Sequence, residues 1–256
     1  MSLPWSTAKE FYDLHSKALF AGRKAMYHVG LIGTAEENAA YTMRVAEIKP
    51  GDQVVDLGCG SGFMVNYLYE NGAFPVGCSD SEACVQAARG NYPDRLFVVQ
   101  DMATLDASEE FDVFLAMESL GYADLGKTMA SVSKSLKPGG RFFVKDMIPF
   151  PSLTPEGNAN LEYIRHYWKY ACTPQDETIA IARKHGLYLK RFLAYDEANI
   201  DDFIETLPLL MVPQEIPFPD ERYIRPCEFL FEREESVEEL NLIGAIFGSD
   251  SAEGWK

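Results

Sequence analysis

Basic residues are scarce in this chain. It carries 39 acids against 23 lysines and arginines, for a formal net charge of −16. Nucleic-acid binding rests mainly on neutralising phosphates, and no Lys/Arg run is long enough to form a basic stripe, so no nucleic-acid partner is expected. Long hydrophobic runs are missing too. None approaches the ~20 residues of a membrane helix, which argues against membrane insertion. The opening segment, Met1 to Phe20, has no basic start followed by an apolar core, so a secretory signal is not expected. Cysteine is sparse. Cys59, Cys78, Cys84, Cys172 and Cys227 are odd in number, and no pair has metal-ligand spacing. Reduced thiols in a cytoplasmic protein without a metal site are the expectation. Internal repeats and low-complexity tracts are absent. Hydrophobic residues make up 47% and charged residues 24% of the 256, an ordinary mixture for a globular protein. That length suits one large domain, or a domain with a cap, and can bury a sizeable core.

Strand and helix patterns alternate regularly from Lys49 to Met147. Strands are predicted at Gln53–Leu57, Phe74–Ser79, Leu96–Gln100, Phe111–Met117 and Arg141–Asp146. Helices are predicted at Glu82–Arg89 and Leu125–Leu136, the latter closed by the turn signal Lys137-Pro138-Gly139-Gly140. Such alternation predicts a doubly wound parallel sheet with helices on both faces. Past Met147 the texture becomes rich in Pro, Asn and aromatics. A further helix runs from Pro174 to Lys184 behind the N-cap Thr173, and strands follow at Leu187–Tyr195 and Tyr223–Glu232. Pro226 inside the last of these favours an edge strand or a bulge. The fold class is thus α/β, a doubly wound, seven-stranded, mostly parallel sheet.

Val54 to Leu68 carries the strongest signal. A short apolar run ends in Asp56, then Gly58, Cys59, Gly60, Ser61 and Gly62 precede a helical pattern. Strand, glycine-rich turn and helix together open a nucleotide-binding α/β unit. A dinucleotide site would read G-x-G-x-x-G. Here the glycines alternate, with an acid two residues before the first. This D-x-G-x-G-x-G pattern resembles motif I of the class I S-adenosylmethionine (SAM) methyltransferases, a resemblance covering roughly residues 40 to 232. It implies that Asp56, Gly58, Cys59 and Gly60 hold the amino-acid end of SAM. The competing reading is a bare turn between strand and helix.

The resemblance extends to the next strand ends. The family usually grips the SAM ribose with an acid where this chain has Ser79. The acid here comes one place later, at Asp80, a departure resembling the G-V-T-L-S pattern of cyclopropane-synthase-like and isoprenoid C-methyltransferases, so Ser79 or Asp80 is expected at the ribose. Asp80 could otherwise be a turn residue or an N-cap. Asp101 and the Met102 amide are expected at the adenine. The fourth strand ends Glu118-Ser119-Leu120-Gly121-Tyr122, similar to the E-S-x-x-Y setting of the prenyl-diphosphate, sterol and tocopherol C-methyltransferases. That likeness implies a catalytic pair, Glu118 and Tyr122. Glu118 could instead anchor the SAM amino group. His28 lies in a segment similar to the substrate end of the prenyl-diphosphate group. His166, Tyr167 and Tyr170 crowd a segment where aromatic faces could stabilise a cation or simply pack a cap.

The resemblance therefore implies a SAM-dependent methyltransferase for a small-molecule acceptor, with an isoprenoid alkene carbon preferred. A diphosphate acceptor would bring Mg²⁺. An N- or O-methyltransferase of a small metabolite stays open, as does a non-catalytic interaction protein. The expected organisation is an N-terminal helical lid at 1–40, a methyltransferase domain at 41–232 with lid insertions at 148–173 and 197–221, and an acidic tail at 233–256. A homo-oligomer is compatible with the sequence.

Overall fold

The structure, a computed structural model, describes residues 6–20, 34–151, 155–195 and 224–234. Helices α1 (Ala8–Phe20) and α2 (Ala35–Val45) precede the alternating region. There β1 (Gln53–Leu57), α3 (Phe63–Glu70), β2 (Phe74–Ser79), α4 (Glu82–Asn91), β3 (Leu96–Val99), β4 (Phe111–Met117), α5 (Leu125–Ser135) and β5 (Leu136–Pro149) follow in turn. Helices α6 (Pro155–Trp168) and α7 (Gln175–Lys184) come next, then strands β6 (Leu187–Ala194) and β7 (Ile224–Arg233).

The strands form one sheet in the order β3-β2-β1-β4-β5-β7-β6. β1 pairs in parallel with both β2 and β4, while β7 runs antiparallel to β5 and β6. The order steps outward from β1 to β3 and then reverses to β4, which opens a crevice at the carboxyl ends of β1 and β4. β1 is short, apolar and buried from Val54 to Leu57, as a central parallel strand covered on both faces must be. On one face Leu57, Phe114, Phe142 and Phe229 pack with Met129 and Val132 of α5 and Ala182 of α7. On the other, Val54, Leu115, Phe143 and Leu230 pack with Val45 of α2 and Leu68 of α3.

Two expectations are corrected. The glycine-rich turn after α5 is not a separate turn. The strand begins at Leu136, directly after the helix, and Gly139 (φ +69°) lies inside it where the register against β4 shifts. Leu136 to Arg141 is five steps against two from Phe111 to Val113, so β5 carries three extra residues there, an irregularity that a glycine at positive φ helps the strand absorb. Nor is β7 an edge strand. It lies between β5 and β6, with Pro226 its third residue, opposite Met147. The Pro226 carbonyl accepts from the Tyr195 N–H at 3.0 Å. Being near the strand's start, the proline interrupts little of the ladder. His28, the insertion at 197–221 and the tail beyond Glu234 lie outside the described residues.

Candidate active site

The site begins where β1 ends. Asp56 is buried there, and the chain then turns through Gly58 (φ +77°) and Gly60 (φ +48°), backbone that favours glycine. The Gly58 and Cys59 N–H groups both donate to the Cys78 carbonyl, at 2.8 and 3.0 Å, tying the loop to the end of β2. A side chain on Gly58 would place its Cβ 2.5 Å from that of Ser119. Cys59 is walled in, and burial pushes its thiol well above the ordinary range.

Asp56, Asp80 and Asp101 line one cavity of about 610 Å³ that opens at this crevice. They come from the ends of β1, β2 and β3. Ser81, not Asp80, caps α4: its hydroxyl accepts from the Cys84 N–H at 3.2 Å and donates to Asp13 of α1 at 2.7 Å. Asp80 is thereby left to the cavity. Partial desolvation, reinforced by the negative charge of Asp101, holds its carboxyl above the usual range. The Ser79 hydroxyl accepts from the Ser81 N–H at 3.2 Å. Asp101 accepts from the Ala103 N–H at 2.8 Å, starting the 3₁₀ turn Met102–Thr104 that brings Met102 to the cavity wall. Three carboxylates in a row suit a ligand that donates hydrogen bonds along its length, such as an ammonium, a ribose diol and an exocyclic amine. SAM carries these three groups, so the donor chemistry fits it.

Across the crevice stands the end of β4. Glu118 lines the cavity, half-buried, with its backbone in the left-handed region (φ +53°). Its N–H donates to the Lys145 carbonyl at 2.7 Å. Beside it three tyrosines meet edge to face. Tyr122 lies 5.3 Å from Tyr12 of α1 and 4.7 Å from Tyr170, measured between ring centroids. Burial pushes the Tyr12 and Tyr122 hydroxyls up. The Tyr170 hydroxyl is buried and has no hydrogen-bond partner among the described residues. Met117, Met147, Ile164 and Ile224 complete this apolar end.

The structure thus brings together Asp56, Gly58, Cys59, Gly60, Ser79, Asp80, Asp101, Met102, Glu118, Tyr122 and Tyr170 around one cavity. His166 is exposed on α6 and is not among the cavity residues. Tyr167 lies on the same helix, with its side chain outside the described ones. Sequence reasoning missed Tyr12 and Lys9, which reach the cavity from α1. Among the described residues no group of three His, Cys, Asp or Glu side chains could hold a metal ion.

Residues 55–144 match the family described as a methyltransferase domain. A ubiquinone biosynthesis O-methyltransferase from Mesorhizobium japonicum is 33% identical over 107 residues, 40% of this chain and 43% of the relative. The chain spans about half the length of the curated relatives it matches. Among solved structures, the [4+2]-cyclase SpnF superposes with a TM-score of 0.75 at 16% identity, over 92% of this chain and 99% of that one. Geranyl diphosphate C-methyltransferase from Streptomyces coelicolor superposes with a TM-score of 0.71 at 15% identity, over 91% and 100%. At such identities these likenesses establish the fold. Since one neighbour is a cyclase, the fold by itself does not set the reaction.

Proposed function

We propose that this chain, which carries a class I SAM methyltransferase domain, transfers a methyl group to a carbon of a small, largely apolar acceptor of isoprenoid type. One observation carries the reading. The Glu118 carboxylate stands beside Tyr12, Tyr122 and Tyr170 at the apolar end of a cavity whose other end is the acid-lined glycine loop.

When bound, SAM supplies an electrophilic methyl group. Asp56, Asp80 and Asp101 anchor its polar ends, and the glycine loop lets it lie against the backbone. Held there, SAM would supply its methyl carbon to an acceptor alkene, the C–C bond forming as the S–CH₃ bond breaks and S-adenosylhomocysteine leaves, so that positive charge would fall on the neighbouring carbon. Tyrosine faces stabilise a cation by roughly 0.5–2 kcal/mol each. Glu118 then takes a proton from the adjacent carbon, restoring a double bond. In this reading α1 and α6 form part of the roof that excludes water. The cavity's basic side chains among the described residues are Lys9 and Lys127, exposed at its rim and paired with Asp13 and Asp124. An acceptor without a diphosphate fits that lining better than one with it.

A hydroxyl acceptor is the second reading. It is favoured by the ubiquinone biosynthesis O-methyltransferases among the relatives, and Glu118 would then take the hydroxyl proton. Incubation with methyl-labelled SAM and a panel of prenyl alcohols, prenyl diphosphates, prenylated phenols and amines tests both. NMR of the product locates the label on carbon, oxygen or nitrogen. Calorimetric titration showing no SAM binding would overturn both readings.

A further inference from the structure

Tyr170 buries a hydroxyl that nothing in the described fold satisfies. The residue is 2% exposed. Four buried side-chain polar atoms lack a hydrogen-bond partner among the described residues, and the Tyr170 hydroxyl is the one that belongs to the cavity wall. The ring is firmly held. Tyr122 packs edge to face against it, with centroids 4.7 Å apart. Gly121 lies against it, where an added Cβ would stand 2.5 Å from Cζ, the ring carbon that bears the hydroxyl. The Ala171 N–H donates to the Gly121 carbonyl at 2.8 Å, fixing the chain one residue on. The surroundings are apolar. Tyr170 forms a buried cluster with Ile164, Cys172 and Ile224, and Met147 and Leu161 pack against it.

Packing does not ask for that hydroxyl. A phenylalanine would make the same ring contacts, and burying a hydroxyl without a partner costs free energy. A native orphan of this kind calls for a functional reason or a partner from outside the fold. The position of the residue supplies one, because the open volume beside Tyr170 is the apolar end of the cavity. The lining narrows what the partner can be. The basic side chains of the cavity among the described residues, Lys9 and Lys127, stand at its exposed rim, paired with acids. An anion brought to Tyr170 would therefore lose its water with no cation to replace it. A neutral oxygen loses far less, and it can accept from the phenol O–H.

We propose that Tyr170 is a specificity-determining residue whose hydroxyl donates to a neutral oxygen of the methyl acceptor. The acceptor is then an oxygenated isoprenoid, such as a prenyl alcohol or a prenylated phenol, and neither a hydrocarbon nor a diphosphate. The proposal deepens the function argued above and rests on its placing of the acceptor at the apolar end. Without acceptor the hydroxyl is enclosed. The acceptor turns the ring toward the cavity, and the hydrogen bond made only in the complex favours that turn.

Tyr170→Phe tests this, since it keeps the ring and removes the donor. Binding is read by calorimetry in the presence of S-adenosylhomocysteine. The probes are geraniol, a prenylated phenol, geranyl diphosphate, and the hydrocarbon that matches geraniol without its oxygen. Tyr170→Phe should weaken the geraniol or phenol complex about 10-fold, as loss of one hydrogen bond does. It should leave the hydrocarbon within about 2-fold and SAM within about 3-fold of the parent. The thermal midpoint of the free protein should hold or rise, because an unpaired hydroxyl has been removed. Unchanged affinity for the oxygenated probes, an equal loss with the hydrocarbon, or tighter binding of the diphosphate than of geraniol by the parent would overturn the proposal and leave methyl transfer in place. A lowered midpoint would reveal a partner within the fold and overturn it as well. If the parent binds SAM but none of the four probes, the isoprenoid reading falls first and this inference with it.

Discussion

The Ser119 hydroxyl donates to the Leu57 carbonyl at 2.6 Å, joining the end of β4 to the end of β1 where the strand order reverses. The two walls of the cavity are thereby held at a fixed separation. Gly58, between them, has no room for a side chain. Gly58→Ala would strain a backbone at φ +77° and drive a methyl against the Ser119 Cβ, 2.5 Å away. A non-glycine residue forced into that region costs about 1–3 kcal/mol. We expect Gly58→Ala to lower the thermal midpoint and to weaken SAM binding at least 10-fold by calorimetry. A variant that binds SAM as the parent does would place the cofactor elsewhere.

Glu118→Gln keeps the shape of the side chain but not its ability to accept a proton. Loss of a general base typically costs ~10²–10⁴ in rate. Turnover should fall by that order with SAM affinity within a few-fold of the parent. Were SAM affinity to collapse along with turnover, Glu118 would be a ligand of the cofactor rather than a base.

Much of this site can be read from the sequence because Asp56, Asp80 and Asp101 each follow a short apolar run, and a buried parallel strand must deliver what comes after it to the same edge of the sheet. What could not be read depends on contacts distant in sequence. Tyr12 reaches Tyr122 because α1 packs on α4, where Phe11 and Tyr12 meet Cys84 and Asp13 accepts from Ser81 across 68 residues. No local pattern encodes that docking. The interior place of β7 is similarly hidden, since Pro226 speaks for an edge and only the pairing of Lys145 with Glu228 and its neighbours overrides it. The turn signal after α5 failed for a local reason, because glycine serves a bulge inside a strand as readily as a turn between elements.

Gly121 lies against the ring of Tyr170, which lines the cavity. A methyl added there would meet the Tyr170 ring at 2.5 Å, and the tyrosine must shift. Gly121→Ala should raise the acceptor KM several-fold through displaced aromatic contacts and leave SAM affinity unchanged. Steady-state kinetics with each substrate varied in turn separates the two effects. Equal changes in both would mean that the substitution disturbs the whole crevice.

Asp146 gives a prediction in pH. It is 7% exposed, and burial raises its carboxyl to about 8, against a usual value of 3.8, even though it accepts from the Met147 N–H at 2.7 Å. The folded chain therefore keeps a proton that the unfolded chain has released between about pH 4 and pH 8. Across that window the unfolded state binds fewer protons, so stability falls as pH rises. Below pH 4 both states are protonated, and above about pH 8 both are ionised, so the slope vanishes at either end. One proton changes unfolding free energy by at most ~1.4 kcal/mol per pH unit. Asp146→Asn removes this slope. Urea midpoints from pH 5 to pH 9 should show the parent losing stability relative to the variant as pH rises, with the gap levelling off above about pH 8. Parallel curves would mean that Asp146 is ionised in the folded protein across the whole range, and that the neighbouring Glu118 and Tyr122 share their pocket with a second negative charge.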